Sequence, residues 1–136
     1  MEYMRKAILY INWEEYADEN NFEEEGEEIE KVKEEIRQII KKNHDFWELN
    51  NNEIIPAEYG TTADVRPQRM IETLFPMIKY LEKNNIPWTG AKLAFMYDED
   101  PGFMIISEDQ AIIGYIDEDG DVDKIYIQLP IKKRLE

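Results

Sequence analysis

The C-terminal third of the chain contains four short apolar runs, and this pattern constrains the fold more than any other feature. The runs span residues 92–97, 103–106, 111–116 and 125–129. The first and last alternate with a period of two, which is typical of strands that bury one face. The runs are separated by acidic and Gly-containing turn sequences, among them Asp119-Gly120, a dipeptide typical of hairpins. The sequence therefore predicts a four-stranded antiparallel meander.

The first third of the chain indicates one strand and one amphipathic helix. Lys6 to Trp13 is apolar on both alternating sets, which is typical of a central strand covered on both sides. After Gly26, apolar residues recur at spacings of three and four: Ile29, Val32, Ile36 and Ile39 or Ile40. Such a stripe predicts a helix with one buried face. Its Glu-rich start and basic end complement the helix dipole.

A second helix is predicted to begin near Thr62 or Asp64, either of which suits an N-cap, with Pro67 in its first turn. Its expected buried stripe is Met70, Leu74, Ile78 and Leu81. Pro76 falls inside this stripe and must kink or restart the helix, because its ring clashes with the preceding turn.

Two segments are predicted to be irregular loops. Residues 14–25 are acidic and Asn-rich, and residues 43–60 contain three consecutive asparagines together with Pro56 and Gly60. Phe46 and Trp47 are expected to anchor the second loop to the core. A further turn is expected at residues 87–90. Trp88 lies in this turn and is the tryptophan that we expect to be exposed and to contact a partner.

These elements predict an α+β fold in a single domain of 136 residues, with a short basic tail at residues 130–136. The N-terminal strand is expected to join the meander in one mixed or antiparallel sheet, with both helices on one face. A hydrophobic content of 43% argues against a disordered acidic chain. The absence of cysteine excludes disulfides and thiolate chemistry. Because no segment resembles a signal peptide or a membrane span, we expect a soluble, cytoplasmic protein.

The acidic residues are concentrated in two blocks, and the net charge is −15. Glu14 to Glu35 holds twelve carboxylates, and Asp98 to Asp123 holds ten with no Lys or Arg. Fields of this sign repel nucleic acid and anionic membranes and attract cations or basic protein surfaces. If both blocks pointed the same way, the surface would resemble the charge density of a nucleic-acid duplex.

In a meander, the first and third turns lie at the same end of the sheet, so the two most acidic turns are expected to be neighbours. They would form a recognition surface for a cationic partner. Turn chemistry and edge protection are the alternative explanation for these acidic residues. The predicted partner-binding residues are Asp98, Glu99, Asp100, Asp117, Glu118, Asp119, Asp121, Asp123, Glu23, Glu24, Glu25 and Trp88.

No motif indicates catalysis or a cofactor. The turn around Gly120 fails the EF-hand spacing in both possible registers, although a looser Ca²⁺ or Mg²⁺ site remains open. His44 is the only histidine, which excludes two-histidine zinc motifs. No phosphate-binding loop or hydrolase elbow is present. The chain is therefore not expected to be an enzyme, to hold a metal or to bind a cofactor.

The leading hypothesis is a small acidic binding protein that neutralises a basic partner by occlusion. A toxin's immunity protein or an inhibitor of a nucleic-acid-handling enzyme would have these properties, without direct binding to nucleic acid or membrane. The alternatives are a metal-dependent enzyme that uses clustered carboxylates at the sheet end, and a structural domain whose acidity provides solubility only.

Overall fold

The computed structural model describes residues 2–3, 6–57, 66–97 and 100–131 and shows an α+β fold with two antiparallel sheets. The helices are α1 (Trp13–Asn20), α2 (Glu27–Lys42), α3 (Pro67–Glu72) and α4 (Phe75–Lys83). The strands are β1 (Glu2–Tyr3), β2 (Leu9–Ile11), β3 (Trp47–Asn50), β4 (Glu53–Pro56), β5 (Trp88–Gly90), β6 (Lys92–Tyr97), β7 (Asp100–Ser107), β8 (Gln110–Ile116) and β9 (Val122–Gln128). The predicted fold class is confirmed.

The predicted meander is confirmed as strands β6 to β9 of a five-stranded sheet in the order β1-β6-β7-β8-β9. The register places Leu93 opposite Met104, and Met104 opposite Ile113. All three side chains are buried. Because side chains alternate along each strand, this register defines an inner face that joins the core and an outer face on the other side.

The second sheet contains β3-β4-β2-β5, and it corrects two predictions. The strand predicted within Lys6 to Trp13 does not join the meander, since β2 lies between β4 and β5. The predicted loop at 43–60 contains the β3–β4 hairpin, with Asn51 at φ 55° in its turn. Asparagine tolerates this left-handed conformation, so the asparagines reverse the chain between two strands instead of ending regular structure.

The acidic segment 14–25, predicted to be a loop, begins with helix α1. The Asn12 side chain accepts a hydrogen bond of 3.0 Å from the Glu15 backbone N–H, so the helix starts at Trp13 and β2 ends earlier than predicted. Asn21 ends the helix in the left-handed region with φ 56°. The buried residues of this helix are Trp13, Tyr16 and Ala17. Their spacing of three and four was obscured by the surrounding carboxylates.

The first amphipathic helix is confirmed as α2, where Ile29, Ile36 and Ile40 are buried. The second predicted helix is divided. Its expected N-caps at residues 62 and 64 lie outside the described residues, and α3 begins at Pro67. Pro76 restarts the helix as α4, where its missing N–H falls in the first turn. Every member of the expected stripe at Met70, Leu74, Ile78 and Leu81 is buried.

The two sheets meet where β5 continues into β6. The Ala91 N–H donates to the Ile8 carbonyl at 2.9 Å, and the Ala91 carbonyl accepts from the Ile106 N–H at 3.1 Å. A Cβ built on Gly90 would lie 2.0 Å from the Ile106 carbonyl oxygen. Close approach of the two backbones therefore requires glycine at position 90.

Buried residues of both sheets and all four helices belong to one hydrophobic cluster. Trp47, 1% exposed, anchors β3 as predicted, and the half-buried Phe46 packs against the same cluster. The Trp47 indole N–H donates to the Met70 carbonyl at 2.9 Å. This buried hydrogen bond connects the β3–β4 hairpin to α3.

Candidate partner-binding surface

Asp100 and the acidic β8–β9 turn lie at the same end of the meander, as the sequence predicted. Gly102, near the start of β7, pairs with Tyr115 near the end of β8, and Ile116 pairs with Val122 at the start of β9. The start of β7 and the β8–β9 turn therefore share one end of the sheet, which we call the acidic end. Its described carboxylates are all exposed: Asp100, Asp117, Glu118, Asp119, Asp121 and Asp123. Asp98 and Glu99 lie outside the described residues.

One of these carboxylates organises the turn itself. Asp117 Oδ1 accepts hydrogen bonds from the backbone N–H groups of Asp119 at 3.0 Å and Asp121 at 2.9 Å. Gly120 has φ 83°, and its N–H donates to the Asp117 carbonyl at 3.1 Å. Turn chemistry thus explains the aspartate at position 117.

The remaining carboxylates of the turn differ from that of Asp117. Among the described residues, no hydrogen bond or ion pair engages the carboxylates of Glu118, Asp119 or Asp121. Their charges are therefore uncompensated at close range, and each adds to the negative field at this end of the sheet.

The outer face of the meander carries an apolar surface that borders the acidic end. The row nearest the acidic turns contains Met96, Pro101, Ile116 and Val122. The next row contains Ala94, Phe103, Gly114 and Lys124, and the third contains Lys92, Ile105, Ile112 and Tyr126. We call these twelve residues the outer face. Beyond it lies a polar row of Ser107, Gln110 and Gln128.

Three apolar side chains of the outer face are unusually exposed. Met96 is 40% exposed, Val122 is 42% exposed and Tyr126 is 60% exposed. Val122 and Tyr126 lie on β9, which pairs with β8 and is an edge strand among the described residues. The largest apolar patch on the surface of a monomer is often a functional one. The alternation of β9 is visible in the sequence, but this surface was not predicted from it.

At the centre of the outer face, the Phe103 ring lies across Gly114. A Cβ at Gly114 would be 2.3 Å from the Phe103 ring, so only glycine leaves room for the ring there. The Lys92 ammonium lies 4.9 Å from the centroid of the same ring. This cation–π contact partly covers Phe103 and leaves the ends of the face, Met96 and Tyr126, more accessible.

The other predicted acidic residues lie on a different surface. Glu23, Glu24 and Glu25 are exposed between α1 and α2, and the last two line a cleft of about 450 Å³. Thr89 also lines this cleft, whereas Tyr97, further along the same segment, pairs with Asp100 at the acidic end. The described lining of this cleft includes no residue of the acidic end.

A buried lysine that is not among the predicted site residues lies in the wall of this cleft. Lys33 is 9% exposed, and its ammonium lies 3.3 Å from Glu30 Oε1 and 3.2 Å from Asn51 Oδ1. The same ammonium lies 5.8 Å from the centroid of the Trp13 ring. Position 33 is four residues after Ile29 and three before Ile36, so the helical stripe itself was the signal. Lys33 connects α2 to the β3–β4 turn.

Trp88 is half-buried instead of fully exposed, and residues 88–90 form strand β5 instead of the expected turn. The Trp88 indole N–H donates to Glu82 Oε1 at 2.8 Å. In the register of the second sheet, Trp88 pairs with Ile11. Its N–H is therefore engaged within the chain, which leaves part of the ring surface for contact.

Among residues 2–3, 6–57, 66–97 and 100–131, no group of three or more His, Asp or Glu side chains is arranged to hold a metal ion. Within the same ranges, no helix is long and apolar enough to cross a membrane. No protein-family model, curated protein or solved structure matches this chain.

Proposed function

We propose that this chain is a cytoplasmic binding protein that occupies a basic surface of another protein and thereby blocks it. The observation that carries the proposal is the acidic end, where six described carboxylates from two parts of the chain are exposed together. A toxin neutralised by its immunity protein, or an enzyme that handles nucleic acid, has the basic surface that such a site would cover.

The carboxylates of the acidic end are like charges held close together. Carboxylates held close together repel one another and destabilise the compact chain. At Asp117, two hydrogen bonds offset part of this repulsion. Among the described residues, no hydrogen bond or ion pair does so for the carboxylates of Glu118, Asp119 and Asp121. A basic partner would turn this repulsion into attraction. It would also accelerate association, because complementary fields steer the two proteins together.

The same field selects among classes of partner. Nucleic acid and anionic membranes carry negative charge and are repelled, while a Lys- or Arg-rich protein surface is attracted. Function by occlusion needs only a stable surface of suitable shape and charge. The proposal therefore assigns no chemical step to the chain.

The test compares two variants with equal changes of charge. Replacing Asp117, Asp119 and Asp121 with Asn removes three charges from the acidic end. Replacing Glu14, Glu19 and Glu35 with Gln removes three charges from exposed positions on α1 and α2 that are not among the predicted partner-binding residues. Each variant and the original chain are immobilised, exposed to lysate of the source organism at low and high salt, and the retained proteins are identified by mass spectrometry.

We expect the original chain and the Gln variant to retain a basic protein that high salt releases, and the Asn variant to retain much less of it. Once that protein is purified, the Asn variant should associate with it at least about tenfold more slowly than the original chain does at low salt. The difference between their association rates should be smaller at high salt. Equal retention and equal association rates for the original chain and the Asn variant would refute the proposal.

A further inference from the structure

We infer that the outer face of the meander is the docking surface for an apolar patch on the basic partner, flanked on one side by Lys or Arg. This inference rests on the proposed function and assigns a separate role to each region. The acidic end attracts and orients the partner, and the outer face provides the contact area that holds it.

The register supports this division because it places the two regions side by side. The row of Met96, Pro101, Ile116 and Val122 is apolar throughout and is the row nearest the acidic turns. Asp100 directly precedes Pro101, and Asp117 directly follows Ile116. An apolar centre with a charged margin is the usual composition of a protein–protein interface.

The dimensions explain why both regions are needed. Four strands span about 14 Å between their outer axes, and the three rows span about 14 Å along the strands. Even with side chains at the margins, such a face covers only roughly 400 Å², whereas a stable interface buries about 800 Å² per partner. A partner seated on the outer face must therefore extend over an adjoining surface, and the acidic end adjoins its first row.

The charges select a basic protein over other occupants. A second copy of this chain brings another net charge of −15 and its own acidic end, so self-association opposes like charges. Nucleic acid and anionic membranes meet the same repulsion. Lys92 and Lys124 are the charged members of the outer face, and they lie in its second and third rows, away from the acidic turns. The basic margin of a partner is therefore oriented toward the acidic end.

Tyr126 is the expected anchor of this contact. Its side chain is 60% exposed and stands opposite Ile112 on the neighbouring strand. Tyrosine is enriched among the residues that dominate binding energy, because a rigid ring buries a large area at low entropic cost. Tyr10 provides a matched control, since it is an exposed tyrosine, 40% accessible, on β2 of the other sheet.

The experiment uses a phage-displayed library of random peptides as the probe. We expect the intact chain to enrich peptides that combine aromatic or aliphatic residues with Lys or Arg. The dissociation constant of an enriched synthetic peptide is then measured with Tyr126→Ser, with Tyr10→Ser and with the triple Asn variant of the acidic end. Thermal unfolding verifies that each variant is folded, and sedimentation of the original chain measures self-association.

The inference predicts that Tyr126→Ser weakens peptide binding about tenfold or more through faster dissociation, while Tyr10→Ser changes it less than about twofold. The triple Asn variant should weaken binding through slower association. If the Asn variant alone weakens binding, the docking surface is refuted and the proposed function survives. If neither variant weakens binding, both proposals are refuted. Enrichment of peptides without basic residues, or self-association through Tyr126, would also overturn the inference.

Discussion

Two substitutions at Asp117 distinguish the structural role of a carboxylate in the acidic end from its electrostatic role. Its Oδ1 atom accepts two backbone hydrogen bonds, at 3.0 Å and 2.9 Å, that hold the β8–β9 turn. Asp117→Ala removes the acceptor for both bonds. Asp117→Asn keeps a carbonyl oxygen at the same position and removes only the charge. The two variants therefore separate the hydrogen bonds from the charge at one residue.

The magnitude follows from the exposure of the turn. A net hydrogen bond contributes about 0.5–1.5 kcal/mol, and water can replace part of it at an exposed site, so Asp117→Ala should cost about 1–2 kcal/mol. For a chain of 136 residues, this cost corresponds to a melting temperature lower by roughly 4–8 °C. Asp117→Asn should cost less than about 0.5 kcal/mol, because the acceptor remains. Asp119→Ala is the control, since its carboxylate accepts no hydrogen bond among the described residues.

The assay is urea unfolding followed by circular dichroism at fixed pH and salt, with the melting temperature as a second measure. If Asp117→Asn lost as much stability as Asp117→Ala, the charge and not the acceptor geometry would stabilise the turn. If Asp117→Ala matched Asp119→Ala, the two hydrogen bonds would contribute nothing measurable. Either result would contradict the structural role assigned to the Asp117 acceptor, and the triple Asn variant could then not serve as a probe of charge alone.

Two further perturbations test other parts of the structure. Gly90→Ala should lower the free energy of unfolding by more than about 3 kcal/mol, because its Cβ would lie 2.0 Å from the Ile106 carbonyl oxygen. Gly120→Ala is the control: Gly120 has φ 83° and open space around it, so this substitution should cost only about 1 kcal/mol. Similar losses for the two variants in urea unfolding would contradict the close backbone approach at the sheet junction. Burial, followed by the charge of Glu35, raises the pKa of Tyr80, so the folded chain keeps its phenol proton to higher pH than the unfolded chain. The stability that this raised pKa contributes is intact below about pH 10 and is lost as the pH rises toward the folded pKa, so Tyr80→Phe should lessen the fall in unfolding free energy between pH 9 and pH 11. An unchanged profile of unfolding free energy against pH would contradict this prediction.

Local sequence patterns were sufficient to predict the acidic end. Period-two runs and turn sequences are local signals, and once they predict a meander, the alternation of its turns places Asp100 and Asp117 at one end. The shared end needed no knowledge of distant contacts, because strand order in a meander follows chain order. The same local chemistry required Pro76 to interrupt its helix, and the structure places it in the first turn of α4.

Local sequence patterns were not sufficient to predict the outer face. Phe103, Ile105 and Ile112 occur in apolar runs, and nothing in a run says which of its two faces will be covered. The helices and the second sheet pack on the inner face, so these residues remain half-buried on the other side. The surface that carries our further inference is therefore a consequence of tertiary packing.

Periodicity and turn chemistry within a few residues were enough to predict the meander, helix α2, the restart at Pro76 and the placement of carboxylates at one end. Long-range pairing and packing placed β2 in a second sheet, made Asn51 part of a hairpin turn, buried Lys33 and left Met96, Val122 and Tyr126 exposed. These features depend on which distant segments pair and pack. Such choices follow from the free energy of burying the whole core, which no short stretch of sequence contains.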